Sequence, residues 1–300
     1  MAQAQPKLVR QAEFDPRQIM RIALYSGERS PQQAFAQRSL ILPVQNPATT
    51  WQEVYQFFYG TGPVPMASYD IWFGCPPEVD RQIKDAFEPL WNEATSGGLM
   101  DWEDEPKSCL AKMLLVDQYS RHMFRSSPKA FLHDELGSRL ADRCVAHMAA
   151  GAQFHIEEAL LFAWPWMHAE SYEVALKAER WMAVLVERAK GTPYYLRMRL
   201  HQYGCGIHVD VVRRFGRYPH RNRLLERETT PAEADYLRDE CGIWALDQWP
   251  EYRGGTRRYK RGTAKYTRGV LRHFAQQGDT MLIAQLSWAY FRHYFLAGRA

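Results

Sequence analysis

Along most of this chain apolar residues recur every three or four positions, the period of a helix, and strict alternation is scarce. Residues 51–59 set Trp51, Val54, Tyr55 and Phe58 along a short helix. Residues 78–95 place Val79, Ile83, Phe87, Leu90 and Ala94 on one face. Gly97-Gly98 stops that run, and Pro89 predicts a kink inside it. A helix is predicted near 106–124, with Pro106 in its first turn. The next runs from Pro128 to about Ala150, capped by Ser127 and stopped by Gly151. Residues 154–164 are apolar and end at Pro165, and 170–190 are amphipathic and end at Gly191. Pro193 opens a long helix reaching Arg214, where Arg213 and Arg214 suit the negative end of the helix dipole. Thr230-Pro231-Ala232-Glu233 reads as a capping box for a helix over 231–240. Two more helices are predicted, 264–276 and 279–297.

This pattern predicts an all-α fold, an antiparallel bundle of helices joined by short loops. No repeat of fixed period is readable, so the pattern alone does not predict a solenoid. Residues 1–50 read as an irregular N-terminal arm broken by Pro6, Pro16, Pro31, Pro43 and Pro47. Residues 51–245 read as the helical core, and 246–300 as a basic, aromatic linker followed by C-terminal helices.

Charge sharpens that division. The whole chain carries only +4, but residues 251–300 hold ten bases against two acids, or +8. The first 250 residues hold 28 bases and 32 acids, or −4. A basic extension on a mildly acidic body suits an anionic partner surface, or a solvated basic face. The five cysteines are scattered, with no C-x-x-C pair, which argues against a zinc ribbon and a secreted disulfide framework. No metal or cofactor is expected. Met1 to Arg10 is polar with no apolar stretch behind it, so secretion is not expected. Residues 1–50 carry six bases and three acids and are rich in Gln and Ala, faintly like a mitochondrial transit segment. Mitochondrial localisation is the expectation, and a cytoplasmic one the alternative.

Polar groups interrupt the helical pattern at three places. Asp117 follows the apolar run Met113-Leu114-Leu115-Val116, and Arg121 stands one turn on, in the favourable acid-first order. An acid there is costly unless paired, so Asp117 and Arg121 are expected to form a buried structural pair, with Arg125 extending the stripe. His168 and Glu170 follow a predicted bend at Trp164-Pro165-Trp166. They can serve as base and orienting acid, or simply cap a helix. Residues 208–222 pack four arginines and two histidines into fifteen positions against one acid, Asp210. Gly216 is expected to turn left-handed at the helix end, directing Arg217 and His220 back toward the bundle. Such density of planar donors marks an anion site or a structural hydrogen-bond knot. The ligand-binding candidates are Arg121, Arg125, His168, Glu170, His208, Arg217, His220, Arg221 and Asn222.

These segments together resemble a bacterial family known as domain of unknown function 924. The resemblance rests on Ile71-Trp72-Phe73-Gly74, Asp117-Gln118-Tyr119-Ser120-Arg121, His168-Ala169-Glu170, His208, and Phe215-Gly216-Arg217-Tyr218-Pro219-His220-Arg221-Asn222. It covers about residues 50–240 and implies a helical fold related to tetratricopeptide repeats, with no established activity. Three departures stand out. Ser120-Arg121-His122 replaces Pro-Arg-Asn, Ala169 replaces a serine, and Leu225-Glu226-Arg227 replaces Leu-Gly-Arg.

The flanks have no counterpart in the family pattern. Residues 281–297 hold 13 apolar or aromatic residues of 17, including Trp288, Phe291, Tyr294 and Phe295. The stretch is shorter than the ~20 residues of a membrane span, and Gln285, Arg292 and His293 also count against one. An accessory or scaffold subunit of a larger, membrane-associated assembly is therefore expected. Its partners are other protein subunits, docked through Trp288, Phe291, Tyr294 and Phe295 and through Arg257, Arg258, Lys260 and Arg261. The alternative is a cytosolic enzyme or binder of a small anionic ligand. A third reading is RNA binding through 252–272, where basic residues alternate with Tyr252, Tyr259 and Tyr266. A lipid headgroup or an acidic protein fits the same stretch, and DNA is not expected.

Overall fold

The computed structural model describes residues 47–62, 77–241 and 269–279. The described residues form helices, turns and loops, with no strand among them. Helix α1 (Trp51–Tyr59) starts at a capping box between Thr50 and Glu53 and buries Val54, Phe57, Phe58 and Tyr59. Helix α2 (Pro77–Thr95) runs through Pro89 as one element and buries Ile83, Phe87, Leu90 and Trp91.

The predicted helix over 106–124 is present but interrupted. Helix α3 (Pro106–Leu114) passes into a π-helical turn, Leu115–Tyr119, and then into α4 (Ser120–Met123). A π-turn inserts one extra residue, and such turns are enriched at functional sites. Asp117 lies inside it. The predicted helix from Pro128 divides as well. Ser127 caps only a 3-10 turn, Pro128–Ala130, and α5 starts afresh at Asp134 (Asp134–Ala149).

The expected stop at Pro165 is overturned. The apolar stretch forms α6 (Ile156–Leu160) and then α7 (Ala163–His168), with Pro165 in the first turn of α7. A first-turn residue needs no N–H, so proline is tolerated there. His168 consequently closes a helix where a bend was expected. Helix α8 (Tyr172–Ala189) is capped by Ser171, and α9 (Tyr195–Phe215) ends at Gly216 with φ 69°. Helix α10 (Pro231–Asp239) begins at the Thr230–Glu233 capping box.

One core joins α1, α2, α3, α5, α6, α7, α8 and α9 as far as Val209, filled by aromatic and aliphatic side chains. Helix α8 packs on both α7 and α9, and α7 also reaches α5. This brings the end of α7, the start of α5 and the second half of α9 together.

Part of the C-terminal extension returns to this body. Residues 269–276 form a helix, α11. Its Val270 and Phe274 bury against Leu200 of α9, and Arg199 Nη1 meets Asp279 at 2.8 Å. A Cβ on Gly269 would lie 2.3 Å from the Tyr203 hydroxyl, so a side chain there would force a shift. The charge and the apolar closing run of the residues from Pro250 onward suggest docking on another macromolecule and not on this chain's own core, and that expectation fails over 269–279. The remaining docking candidates, Arg257, Arg258, Lys260, Arg261, Trp288, Phe291, Tyr294 and Phe295, lie outside the described residues. So do the predicted helix 279–297 beyond Asp279, the arm before residue 47, and Trp72, Phe73 and Gly74. No helix among the described residues is long and apolar enough to cross a membrane.

Candidate functional site

The family-like motifs that lie among the described residues meet in one polar cluster, in two layers. The inner layer is centred on Asp117, 1% exposed on its π-turn. Its Oδ1 lies 3.1 Å from Arg121 Nη1 and 2.9 Å from His168 Nδ1. Gln118 Nε2 also donates to the carboxylate. Arg121 Nη2 reaches across to Asp134 Oδ1 at 2.7 Å, and Arg221 Nη1 donates to the other oxygen of Asp134 at 2.9 Å. One carboxylate thus bridges two buried guanidiniums. Arg221 also donates to the His168 carbonyl at 3.0 Å and stacks over Phe131, 4.3 Å from the ring centre. Gly137 on α5 faces this layer. A Cβ there would sit 3.4 Å from the Asp117 Cβ and 3.5 Å from the Pro165 Cβ.

The outer layer hangs on Glu170. It accepts from the Tyr218 backbone N–H at 2.7 Å and from Arg227 Nη1 at 2.6 Å. Arg227 Nε donates to Asn222 Oδ1, and Asn222 Nδ2 donates to Glu233. Arg217 closes the chain with paired bonds to Glu233, 2.7 and 2.9 Å long. Tyr218 links the layers, its hydroxyl donating to the Met167 carbonyl and its ring lying 4.7 Å from the Arg221 guanidinium.

The electrostatics follow from this pairing. Burial pushes the Asp117 carboxyl upward, but Arg121 and the bonds from His168 and Gln118 outweigh it and hold the group at about 2. Glu233 is also held at about 2, first by Arg217. Burial drives the histidines the other way. His208 falls to about 3, through burial and then the nearby positive groups, although its Nδ1–H donates to the Gly204 carbonyl at 2.8 Å. His201 falls to about 3 through burial and Arg197. His168 and His220 are shifted down in the same way, by burial first and arginine charge second. The histidines are thus neutral at neutral pH, and the two layers balance. Arg121, Arg217, Arg221 and Arg227 face Asp117, Asp134, Glu170 and Glu233.

Most of the predicted ligand residues come together here, in roles that differ from expectation. Asp117, and not Glu170, orients His168. Arg217 sits on the rim, its side chain 29% exposed, turned to Glu233 on α10. His220 is buried with its ring 5.4 Å from that of Tyr218. Arg125 stands apart, bonded to Asp80 on α2 beside His122. Asp134 and Tyr218 were not among the predicted residues. An acid opening a helix is read as a dipole partner, which hides its long-range role. Among the described residues, no group of three or more His, Cys, Asp or Glu side chains is placed to hold a metal ion.

The family model described as bacterial protein of unknown function, DUF924, matches residues 54–241. The chain belongs to this family. A solved structure, a protein of unknown function, ATU0120, from Agrobacterium tumefaciens, is similar to it at 30% identity with a TM-score of 0.51. That similarity covers 62% of this chain and 96% of the Agrobacterium protein. No curated protein matches the chain. The DUF924 match therefore contains every residue of the two-layered cluster, and this chain continues beyond the match on both sides.

Proposed function

We propose that this DUF924 protein is an accessory or scaffold subunit that holds neighbouring proteins in a larger assembly, with a mitochondrial assembly as the specific expectation. The observation that carries this reading is the commitment of the cluster's arginines. Arg121 and Arg221 are bridged by Asp134, Arg227 is bound by Glu170, and Arg217 by Glu233. A small anion entering the cluster would have to displace one of these internal carboxylates, at the cost of leaving it buried and unpaired. The cluster therefore acts as a clamp on helix ends, and recognition passes to surfaces outside it. The +8 of residues 251–300 and the apolar run 281–297 are the features available for that role. The return of residues 269–279 to α9 narrows the docking elements to the stretches on either side of them.

The test compares the tagged full chain with a variant lacking residues 280–300, which keeps the α11 contacts. Both are expressed in cells of the source organism and sized by native gel filtration. The full chain is expected in a large assembly with fixed co-purifying subunits. The shortened one is expected to elute as a monomer with an unchanged melting temperature. A full-length chain eluting alone near its 35.0 kDa mass would overturn the proposal. So would an assembly that dissolves on ribonuclease treatment, which would favour the RNA reading.

A further inference from the structure

His168 differs from the rest of the cluster. Its Nδ1 is held by Asp117, at 2.9 and 3.2 Å from the two carboxylate oxygens. Asp117 is ionised, so Nδ1 carries the proton and donates it. The neutral ring then presents Nε2, on its far edge, as a bare lone pair. Among the described residues Nε2 has no hydrogen-bond partner, it is not one of the sealed polar atoms of the cluster, and the side chain is 14% exposed.

A buried carboxylate that orients an imidazole, with the second nitrogen open, is the arrangement of a general base. A purely structural histidine would be expected to use both nitrogens or to turn the second one fully to water. The ring of His208 lies 6.5 Å from that of His168, and its Nδ1–H is bound to the Gly204 carbonyl. A second neutral ring thus lies beside the pair.

We propose that the Asp117–His168 pair is a reactive dyad whose Nε2 accepts a proton from an uncharged O–H donor, water or an alcohol. Charge balance selects this ligand class. The guanidiniums nearest His168, Arg121 and Arg221, are neutralised by Asp117 and Asp134, so nothing in the inner layer attracts an anion. In the step itself the O–H bond breaks with its electron pair left on oxygen, and the proton moves to Nε2. The imidazolium is stabilised by the Asp117 carboxylate until it returns the proton. The lowered pKa of His168 keeps the base unprotonated at neutral pH. This inference is independent of the scaffold reading, because it concerns the family core and not the extensions.

The test is carbethoxylation of the intact chain by diethyl pyrocarbonate at neutral pH, mapped by peptide mass. The reagent acylates an unprotonated imidazole nitrogen that solvent can reach. His168 is expected to react about tenfold or more faster than His201, His208 and His220, the order of a single well-placed contact. Glycerol, an uncharged polyol, is expected to slow the reaction, and sulfate at matched ionic strength to leave it unchanged. Asp117→Asn, confirmed as folded by circular dichroism, is expected to slow it as well, by releasing the tautomer. The wild-type comparison stands even if that variant fails to fold. The proposal is overturned if His168 reacts no faster than His208 and His220, if glycerol gives no protection, or if sulfate protects.

Discussion

Acidification tests the neutral histidines. His201 and His208 are held at about 3 in the folded chain, mainly by burial. In the unfolded chain each returns to an ordinary imidazole value of ~6.5. The unfolded state therefore binds protons first as pH falls, and stability is lost below that value. Between about pH 7.5 and pH 5 each such histidine removes about 2 kcal/mol, so the pair removes about 4 kcal/mol. His168 and His220 act in the same direction. Asp117 and Glu233, held at about 2, contribute stability that is lost only as pH drops below ~4, outside this window. A loss of about 4 kcal/mol is a large share of the roughly 5–15 kcal/mol that holds a typical domain together. Urea unfolding followed by far-UV circular dichroism at stepped pH would measure it. Replacing His208 with Gln, which does not titrate, should shrink the loss by about 2 kcal/mol. A stability that changes by less than about 1 kcal/mol over the window would refute the low-titrating, neutral histidines.

Four further outcomes follow from single contacts. Asp117→Ala should cost on the order of 3 kcal/mol in urea unfolding, the low end for a broken buried pair, because Arg121 keeps Asp134. Gly216→Ala, at φ 69°, should cost about 1 kcal/mol. Glu226→Gly should stabilise by about 1 kcal/mol, since Glu226 sits at φ 52° where the family pattern has glycine. Phe274→Ala removes a fully buried ring that ties α11 to α9, at a cost of roughly 3–5 kcal/mol to that contact. Trypsin should then cut at Arg272 while the core melts at its usual temperature, and a core that unfolds with it would contradict the separation.

Features with a local cause could be read directly from the chain. The Thr230–Glu233 capping box and the left-handed turn at Gly216 each need only a few neighbouring residues, and both stand as expected. The Asp117–Arg121 contact lies within one helical turn and was equally legible. The π-turn was not, because an inserted residue leaves the apolar run of 113–116 unchanged. Pro165 misled because proline marks the first turn of one helix as readily as the end of another. The role of Asp134 depends on Arg221, 87 residues away, and no spacing rule reaches that far. Glu233 carried two functions at once. Its capping role was visible, and its bond to Arg217 required the fold.

The most direct test of the charge-balanced cluster is the ring-nitrogen NMR spectrum of uniformly nitrogen-15-labelled protein at neutral pH, with His168 assigned through His168→Gln. The account predicts a neutral ring, with a protonated Nδ1 facing Asp117 and an unprotonated Nε2, that titrates below the ordinary imidazole value. A doubly protonated His168 at neutral pH, or a proton residing on Nε2, would contradict it.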